Sequence, residues 1–382
     1  MQHFQFYNPV KILFGAGQIA NIASQIPQGS KVMMTYGGGS IKQNGVYKQV
    51  VKALSGFEFV EFSGIEANPR YETLMKAVEM VKRENVDFLL AVGGGSVIDG
   101  TKFIALATYF EGEDAYTICT QGVKVQKAVP MGAVLTLPAT GSEMNNGGVI
   151  SRESTHEKFA FSGGRHTFPC FSVLDPTVTL TLPKRQRING VVDAFIHVTE
   201  QYLTYPVQAD IQDRFSEGIL HVLVDNGMKY IDNEEDMDAA ANVMWACSMA
   251  LNGLIAAGVP QDWATHRIGH EITAIAGLDH AQTLALVWPG LHRVMAESKR
   301  EKLLQFGRRI WGVDTVEEAI ARTEDFFRKI GEGTRFSDYP QVENPQAVID
   351  EICRRFETRG TLLGEHADID YIKTREILQG RL

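Results

Sequence analysis

Short apolar runs alternate with amphipathic stretches through the first half of the chain. The runs predict five strands, at 10–14, 31–36, 57–62, 88–92 and 133–138. The stretches between them have apolar positions at helical spacing and predict helices at 17–26, 47–54, 71–85 and 97–109. Strands and helices that alternate in this way predict a parallel sheet covered on both faces. Three shorter strands, at 147–152, 158–162 and 171–174, are predicted in a more irregular region that follows.

The pattern changes at Thr181-Leu182-Pro183, since almost every later segment has helical spacing. Six longer helices and two shorter ones are predicted, at 187–202, 211–231, 237–256, 264–276, 280–298, 315–330, 345–356 and 370–378. A chain of 382 residues is long enough for two domains. We therefore predict an α/β N-terminal domain over residues 1–183 and an all-α C-terminal domain over residues 184–382.

Composition and charge argue against several classes of protein. The net charge of −9 disfavours nucleic acid and anionic membrane surfaces as partners, because both attract basic surfaces. No apolar stretch reaches membrane-spanning length, and the first residues lack the charged and apolar regions of a signal peptide. The four cysteines are scattered without a CxxC pair, which is typical of a reducing compartment. A cytoplasmic location is therefore expected.

One aspartate and several histidines in the helical half have the chemistry of a metal site. Asp193 and His197 lie four residues apart in a predicted helix, so their side chains project from one face, one turn apart. Such a pair alone is more often a surface couple, but His266, His270 and His280 supply further imidazoles. One carboxylate oxygen with three imidazole nitrogens is a ligand set suited to Zn²⁺ or Fe²⁺. Such a set can leave a coordination position open for a substrate oxygen.

A glycine-rich turn joins the predicted strand at 88–92 to the predicted helix at 97–109. Its sequence, Gly-Gly-Gly-Ser at 93–96, has no bulky side chain, so the backbone can approach a phosphate closely at the helix start. It is not the GxGxxG fingerprint, and by itself it fits a plain tight turn equally well. Asp99, on the first turns of the helix, either contacts a bound group or simply favours the helix start.

These residues and further motifs together resemble a known family. The motifs are GGGSVIDGTK at 93–102, LPATGSE at 137–143, GxxDAxxH at 190–197 and HxxxH at 266–270 ahead of His280. In this combination the chain resembles the iron-containing (group III) alcohol dehydrogenases over most of its length. Within the family it is most similar to bacterial NADPH-dependent aldehyde reductases and butanol dehydrogenases.

The resemblance implies a dehydroquinate synthase-like fold, with a dinucleotide-binding N-terminal domain, a helical metal-binding C-terminal domain and the active site between them. It implies Asp193, His197, His266 and His280 as ligands of one divalent metal ion, Fe²⁺ or Zn²⁺. It places His270 near the nicotinamide without a role in holding the metal, so we assign this residue to proton relay or cofactor contact. The family also implies a homodimer.

The resemblance assigns further residues to the dinucleotide. The glycine-rich turn and the helix after it lie at the pyrophosphate and nicotinamide end, and the segment after the strand at 133–138 lies along the dinucleotide. A lysine reaches a ribose, and an asparagine lies near the adenosine side. In chain order the assigned residues are Asn68, Gly94, Gly95, Ser96, Asp99, Thr136, Leu137, Thr140, Ser142 and Lys158.

The loop after the second predicted strand favours NADP(H). Family members that use NAD tend to have an acid there, whereas this chain has Gly37, Gly38, Gly39 and Ser40. A carboxylate about 4 Å from a phosphate charge would repel it by up to about 4 kcal/mol at intermediate screening. Without the acid, the Ser40 hydroxyl and backbone N–H groups can hold the 2′-phosphate. An acid introduced at Gly39, or alternatively at Gly38, is expected to reverse or flatten the preference.

The expected activity is hydride transfer between NADP(H) and an aldehyde/alcohol pair, in the direction of aldehyde reduction. A lyase of the dehydroquinate-synthase type is the main alternative. That group has a glutamate among its metal ligands and a basic cluster for a phosphorylated substrate. Here the first ligand is Asp193, and the helical half shows no such cluster near the ligands. A metal-free binding protein on the same fold is a second alternative, which the intact ligand set disfavours.

Overall fold

Eight strands form two sheets in the computed structural model, which describes residues 1–382. The strands are β1 (Lys11–Phe14), β2 (Lys31–Tyr36), β3 (Glu58–Phe62), β4 (Phe88–Gly93), β5 (Met131–Leu135), β6 (Gly147–Arg152), β7 (Glu157–Ser162) and β8 (Phe171–Leu174). Six of them make a sheet in the order β1-β8-β5-β4-β2-β3, in which every neighbouring pair is parallel. Strands β6 and β7 form a separate antiparallel pair.

Helices connect these strands, as a parallel sheet requires. They are α1 (Ser40–Gln43), α2 (Val46–Ala53), α3 (Tyr71–Glu84), α4 (Gly95–Ala107) and α5 (Thr117–Thr120), with a 3₁₀ helix at Gln18–Gln25. Strand β4 is buried at all six positions, and eleven of the thirteen residues of α4 are buried against it and its neighbours. The glycine-rich turn at 93–96 therefore lies at the end of a central strand and at the start of a core helix.

Nine α-helices make up nearly all of the second half. They are α6 (Lys184–Tyr202), α7 (Asp210–Asp232), α8 (Met237–Ala250), α9 (Ala264–Ala276), α10 (His280–Val294), α11 (Arg300–Phe306), α12 (Val316–Ile330), α13 (Pro345–Arg359) and α14 (Tyr371–Gln379). The predicted class, an α/β half followed by an all-α half, is confirmed. None of the helices combines the length and apolar character needed to cross a bilayer.

The chain divides into two compact units. The sheet unit contains Tyr7–Pro183 and Glu234–Ser248, and the helical unit contains Met1–Phe6, Lys184–Asn233 and Met249–Leu382. The chain leaves the sheet unit at Pro183, where the domain boundary is predicted. Two segments differ from the predicted division: Met1–Phe6 belongs to the helical unit, and Glu234–Ser248 belongs to the sheet unit.

Specific contacts explain both exceptions. In the 234–248 segment, Met244 belongs to the core beneath the sheet, and the Ser248 hydroxyl donates to the Glu143 carboxylate. At the N-terminus, the backbone N–H of Gln2 donates to the carbonyl of Gly258 over 2.9 Å. Apolar periodicity predicts the helix type of such a segment but not the core it joins.

Several predicted elements differ from those observed. The segment 171–174, predicted in an irregular region, is the strand β8 inside the main sheet. The helix predicted at 17–26 is a 3₁₀ helix. Helix α8 ends at Ala250, six residues early, because Gly253 adopts a left-handed φ of 89° that an α-helix does not allow. Helix α11 was not predicted.

Candidate active site

Three helices bring the predicted metal ligands together in the helical unit. Asp193 and His197 lie on α6, His266 is on the first turn of α9, and His280 is the first residue of α10. Oδ1 of Asp193 lies 3.6 Å from Nδ1 of His197, 3.6 Å from Nε2 of His266 and 3.7 Å from Nε2 of His280. The side chains of Asp193, His197 and His266 are buried, and that of His280 is one quarter exposed.

The local sequence explains why these groups are held in place. Every residue of α6 from Gly190 to Tyr202 is buried, so the side chains of Asp193 and His197 are held away from bulk solvent. At the start of α10, Asp279 forms a reciprocal capping box with Gln282. This capping box fixes the position at which His280 enters the helix.

The donor set fits a divalent metal ion. Ligands about 2.1 Å from a tetrahedral ion lie roughly 3.4 Å from one another, close to the distances from Asp193 Oδ1. Oδ1 of Asp193, Nδ1 of His197 and Nε2 of His266 are buried and have no hydrogen-bond partner. Buried polar atoms without partners are costly, and a bound cation would satisfy all three. The ligand atoms of Asp193, His266 and His280 all lie within 4.8 Å of one another, a group that does not include His197.

Burial and neighbouring charges set the protonation of these groups. Burial alone would raise the pKa of Asp193, but the neighbouring imidazoles, His197 foremost, hold it well below its ordinary value. Burial lowers the pKa of His197 to about 4, so its ring is neutral near pH 7 and offers a lone pair. For His266 burial also opposes the charged form, but Glu200 and Asp193 outweigh it and raise the pKa to about 9.

Glu200 is a residue of this centre that the sequence reasoning missed. Its carboxylate is fully buried and contacts Nδ1 of His266. It also accepts the backbone N–H of Thr265 over 2.7 Å. A signal was present in the sequence: Glu200 follows Asp193 by seven residues and His197 by three, which places all three on one face of an apolar helix.

His270 lies beside the ligands on α9. Its ring centroid is 5.2 Å from that of His280 and 6.3 Å from that of His266. It is half-buried, and it is not part of the group whose ligand atoms lie within 4.8 Å. The geometry is compatible with a group that acts next to a metal ion without holding it, and the proton-relay role stays a prediction.

The glycine-rich turn in the sheet unit packs against the loop after β5. A Cβ on Gly95 would lie 2.4 Å from Oγ1 of Thr140, and one on Gly94 would lie 3.0 Å from Cβ of Leu137. Glycine is therefore required where the two loops meet. The backbone N–H of Thr136 donates to the carbonyl of Gly93 over 3.0 Å. Five residues predicted to bind the dinucleotide thus lie together at adjacent carboxyl ends of β4 and β5: Gly94, Gly95, Thr136, Leu137 and Thr140.

Asp99 and Ser142 contact each other. Oγ of Ser142 donates to Oδ1 of Asp99 over 2.5 Å, and the backbone N–H of Val149 donates to Oδ2 over 2.9 Å. The ammonium of Lys102, fully buried, donates to Oγ of Ser142 and to the carbonyl of Gly147 over 2.9 Å and 2.7 Å. Burial lowers the pKa of Lys102 to about 8 and raises that of Asp99. Asp99 and Ser142, both predicted to bind the cofactor, thus take part in a hydrogen-bond network that holds α4 to the β6 segment.

The remaining predicted cofactor residues occupy three loops of the sheet unit. Nζ of Lys158 donates to Oδ1 of Asn68 over 3.0 Å, and the Ser96 hydroxyl donates to the carbonyl of Ala67. Gly37, Gly38, Gly39 and Ser40 follow β2 directly. Gly39 has a left-handed φ of 99°, whereas a Cβ on Gly38 would point into open space.

Comparisons with known proteins match both halves of the chain to one family. Residues 9–176 match the iron-containing alcohol dehydrogenase profile, and residues 187–351 match the C-terminal profile of the Fe-containing alcohol dehydrogenase family. Together the two matches cover well over half of the sequence.

Individual relatives match end to end. The NADPH-dependent aldehyde reductase YqhD of Escherichia coli K12 is 52% identical over 99% of both chains. Its crystal structure superimposes with a TM-score of 0.97 and covers 100% of this chain and 99% of its own. The NADP-dependent alcohol dehydrogenase 3 of Entamoeba histolytica is 41% identical over 99% of this chain and 98% of its own. A probable NADH-dependent butanol dehydrogenase 1 of Bacillus subtilis is 37% identical over 100% of both.

Proposed function

We propose, because this chain belongs to the iron-containing alcohol dehydrogenase family, that it reduces an aldehyde to the corresponding alcohol with NADPH. The aldehyde carbon gains a hydride from the nicotinamide, and the carbonyl oxygen gains a proton. The observation that carries the proposal is the buried convergence of Asp193 with three imidazoles around Oδ1, in a chain whose glycine-rich loops suit a dinucleotide.

A divalent metal ion would be held by Asp193, His197, His266 and His280, and when bound it supplies Lewis-acid polarisation of a carbonyl. In the metal-bound state the carboxylate would contribute a negative charge, and the three rings, each with one nitrogen deprotonated, would contribute neutral nitrogen donors. Asp193 and His197 are buried, and the low dielectric of a buried site strengthens their electrostatic interaction with a cation.

His270 is the proposed proton donor. Its imidazole is half-buried and lies next to His280, and imidazole is the side chain that most often serves as a general acid or base. A protonated ring nitrogen of His270, or a water that it orders, delivers the proton to the oxygen of the product. In the reverse direction the same nitrogen receives it.

The sheet unit binds the cofactor in this proposal. Gly94, Gly95 and Ser96 let the backbone at the start of α4 approach the pyrophosphate, and Lys158 reaches a ribose hydroxyl. The loop from Gly37 to Ser40 has no carboxylate to repel a 2′-phosphate, which favours NADPH. Relatives at 52% and 41% identity are named for NADPH or NADP, and one at 37% is named for NADH.

The finer properties rest on separate observations. Either Fe²⁺ or Zn²⁺ suits the mixed oxygen and nitrogen ligand set. A homodimer is supported by β1, an edge strand of the main sheet, beside which Phe14 and Trp245 line an apolar cavity of about 280 Å³. A cytoplasmic location is supported by four scattered cysteines without a disulfide framework in the sequence.

An aldehyde panel tests the proposed function. Metal-loaded enzyme is mixed with short straight-chain, branched and aromatic aldehydes, and consumption of NADPH and of NADH is followed by absorbance. We expect NADPH consumption that depends on the aldehyde and formation of one alcohol per NADPH. Metal-loaded protein that binds NADPH but consumes none with any aldehyde would contradict the proposal.

A further inference from the structure

The carboxylate of Glu200 divides its two oxygens between different partners. Oε1 accepts the backbone N–H groups of Thr265 and His266, over 2.7 Å and 3.3 Å, at the second and third positions of α9. Oε2 contacts Nδ1 of the His266 ring. The side chain is fully buried, and its only ionic partner is that ring. Capping α9 needs one oxygen alone, so the direction of the second oxygen needs another explanation.

We propose that Glu200 is a positioning residue that orients His266 toward the metal ion, an inference that rests on the proposed metal site. A carboxylate only accepts hydrogen bonds, so Nδ1 of His266 must carry the hydrogen that faces it. With a metal ion in place of the second proton, the ring is neutral and has one N–H, so the lone pair is then on Nε2. Nε2 is the nitrogen that lies 3.6 Å from Oδ1 of Asp193 and has no hydrogen-bond partner.

The backbone around Glu200 is held firmly enough for this role. The carbonyl of Glu200 accepts the N–H of Asp262 over 2.9 Å, and the Asp262 carboxylate accepts the N–H of Ala264 over 3.0 Å. Asp262 is in turn bound by the buried ammonium of Lys299 at 2.9 Å, which also pairs with Glu365 at 2.6 Å. The entry into α9 is thus fixed from two sides, and the His266 ring has its two nitrogens committed to Glu200 and to the metal side.

One helix therefore supplies two ligands and the group that orients a third. Asp193, His197 and Glu200 share a face of α6, and α9 is attached to that face through Glu200. Carboxylate partners of this kind fix the ring orientation and raise the basicity of a ligating histidine, and their loss typically weakens metal binding by about 10–100-fold.

The test measures Zn²⁺ affinity by competition with a chromophoric chelator, starting from metal-free full-length protein. Glu200→Gln keeps an acceptor for the helix N–H groups and removes the charge, and we expect the dissociation constant to rise about 10–100-fold. Glu217→Gln is the matched control, because Glu217 is a buried carboxylate of the same unit that pairs with Arg214 and Arg309. Its Zn²⁺ affinity should stay within about threefold of the wild type.

A double-mutant cycle separates positioning from general stability. In a His280→Ala background, Glu200→Gln should again raise the Zn²⁺ dissociation constant about 10–100-fold. In a His266→Ala background, Glu200→Gln should raise it little further, because the ring through which Glu200 acts is gone. Equal losses in the two backgrounds would overturn the proposal. So would a folded Glu200→Gln protein with wild-type affinity.

A second variant guards against misfolding. Glu200→Asp keeps the charge but is one methylene shorter, so it cannot cap α9 and reach the ring together, and it should also weaken Zn²⁺ binding. Circular dichroism of each metal-free variant reports folding. If neither variant folds even with Zn²⁺, the carboxylate serves the fold rather than the ligand, and the proposal is wrong. Wild-type protein that binds no Zn²⁺ or Fe²⁺ would instead refute the proposed metal site itself.

Discussion

The Lys158 ammonium donates a 3.0 Å hydrogen bond to the amide oxygen of Asn68, and so joins β7 to the loop before α3. Both residues are predicted to contact the dinucleotide, and ninety positions separate them in sequence. A charged hydrogen bond to a ribose hydroxyl contributes roughly 1.5–3 kcal/mol. Lys158→Ala should therefore raise the KM for NADPH at least about tenfold and change kcat less, as measured by initial rates at saturating aldehyde. Lys124→Ala, at an exposed position of the same unit, should leave both unchanged.

Removal of the His270 ring should slow turnover without loss of the metal. His270→Ala is expected to reduce kcat by roughly 10²–10⁴-fold, the range of general acid–base groups, with metal content near one ion per chain. His266→Ala removes a predicted ligand on the same helix, so this variant should bind metal too weakly to retain it through purification and should lose activity with the metal. Elemental analysis and steady-state rates distinguish the two. A His270→Ala protein as depleted of metal as His266→Ala would make His270 a ligand.

A carboxylate in the loop after β2 should reverse or flatten the cofactor preference. The structure favours Gly38 over Gly39 for this test, because Gly39 has a left-handed φ of 99° and Gly38 faces open space. Gly38→Asp should lower kcat/KM for NADPH more than it raises kcat/KM for NADH, since repulsion needs only proximity. Gly38→Asn, of nearly the same size without the charge, is the control. A wild-type enzyme that prefers NADH would contradict the argument from the missing acid.

Glu332 should make the helical unit less stable as the pH rises. Burial raises the pKa of Glu332 from 4.5 to about 7. The folded state therefore holds more protons than the unfolded state between these values, and stability falls as the pH rises through that window. The free energy of unfolding should fall by up to about 3 kcal/mol across this window. Glu332→Gln keeps an acceptor for the Tyr339 hydroxyl, so it should raise the unfolding midpoint at pH 8 and much less at pH 5. Glu343→Gln, at an exposed position, should leave the unfolding midpoint unchanged at both pH values.

Much of the fold was predictable because its signals are local. Strand β4 is an unbroken apolar run that ends in glycines, and α6 has helical spacing around Asp193 and His197. What the sequence could not supply is the choice of partner. Strand β8 lies between β1 and β5, and Met244 of α8 packs in the core of the sheet unit. Both placements depend on long-range contacts that the periodicity of a segment does not encode.

The candidate site was likewise predictable only in part. The types and spacing of Asp193, His197, His266 and His280 indicated a metal, because that donor set is chemically distinctive. Glu200 was missed since a glutamate among apolar helix residues has many structural explanations, and only its contact with His266 shows which one applies. The positive φ of Gly39, which decides the better position for an introduced acid, likewise has no sequence signature of its own.

Dependence of the rate on bound metal tests the central claim most directly. Enzyme stripped by a chelator is reloaded stepwise with Fe²⁺ or Zn²⁺, and NADPH consumption with butanal is plotted against metal bound per chain. His221→Ala, at an exposed histidine of the helical unit, controls for adventitious binding and should give the same plot as the wild type. We expect almost no activity without metal and a linear rise that ends at one ion per chain. Stripped enzyme that reduces butanal as fast as the untreated enzyme would contradict the account.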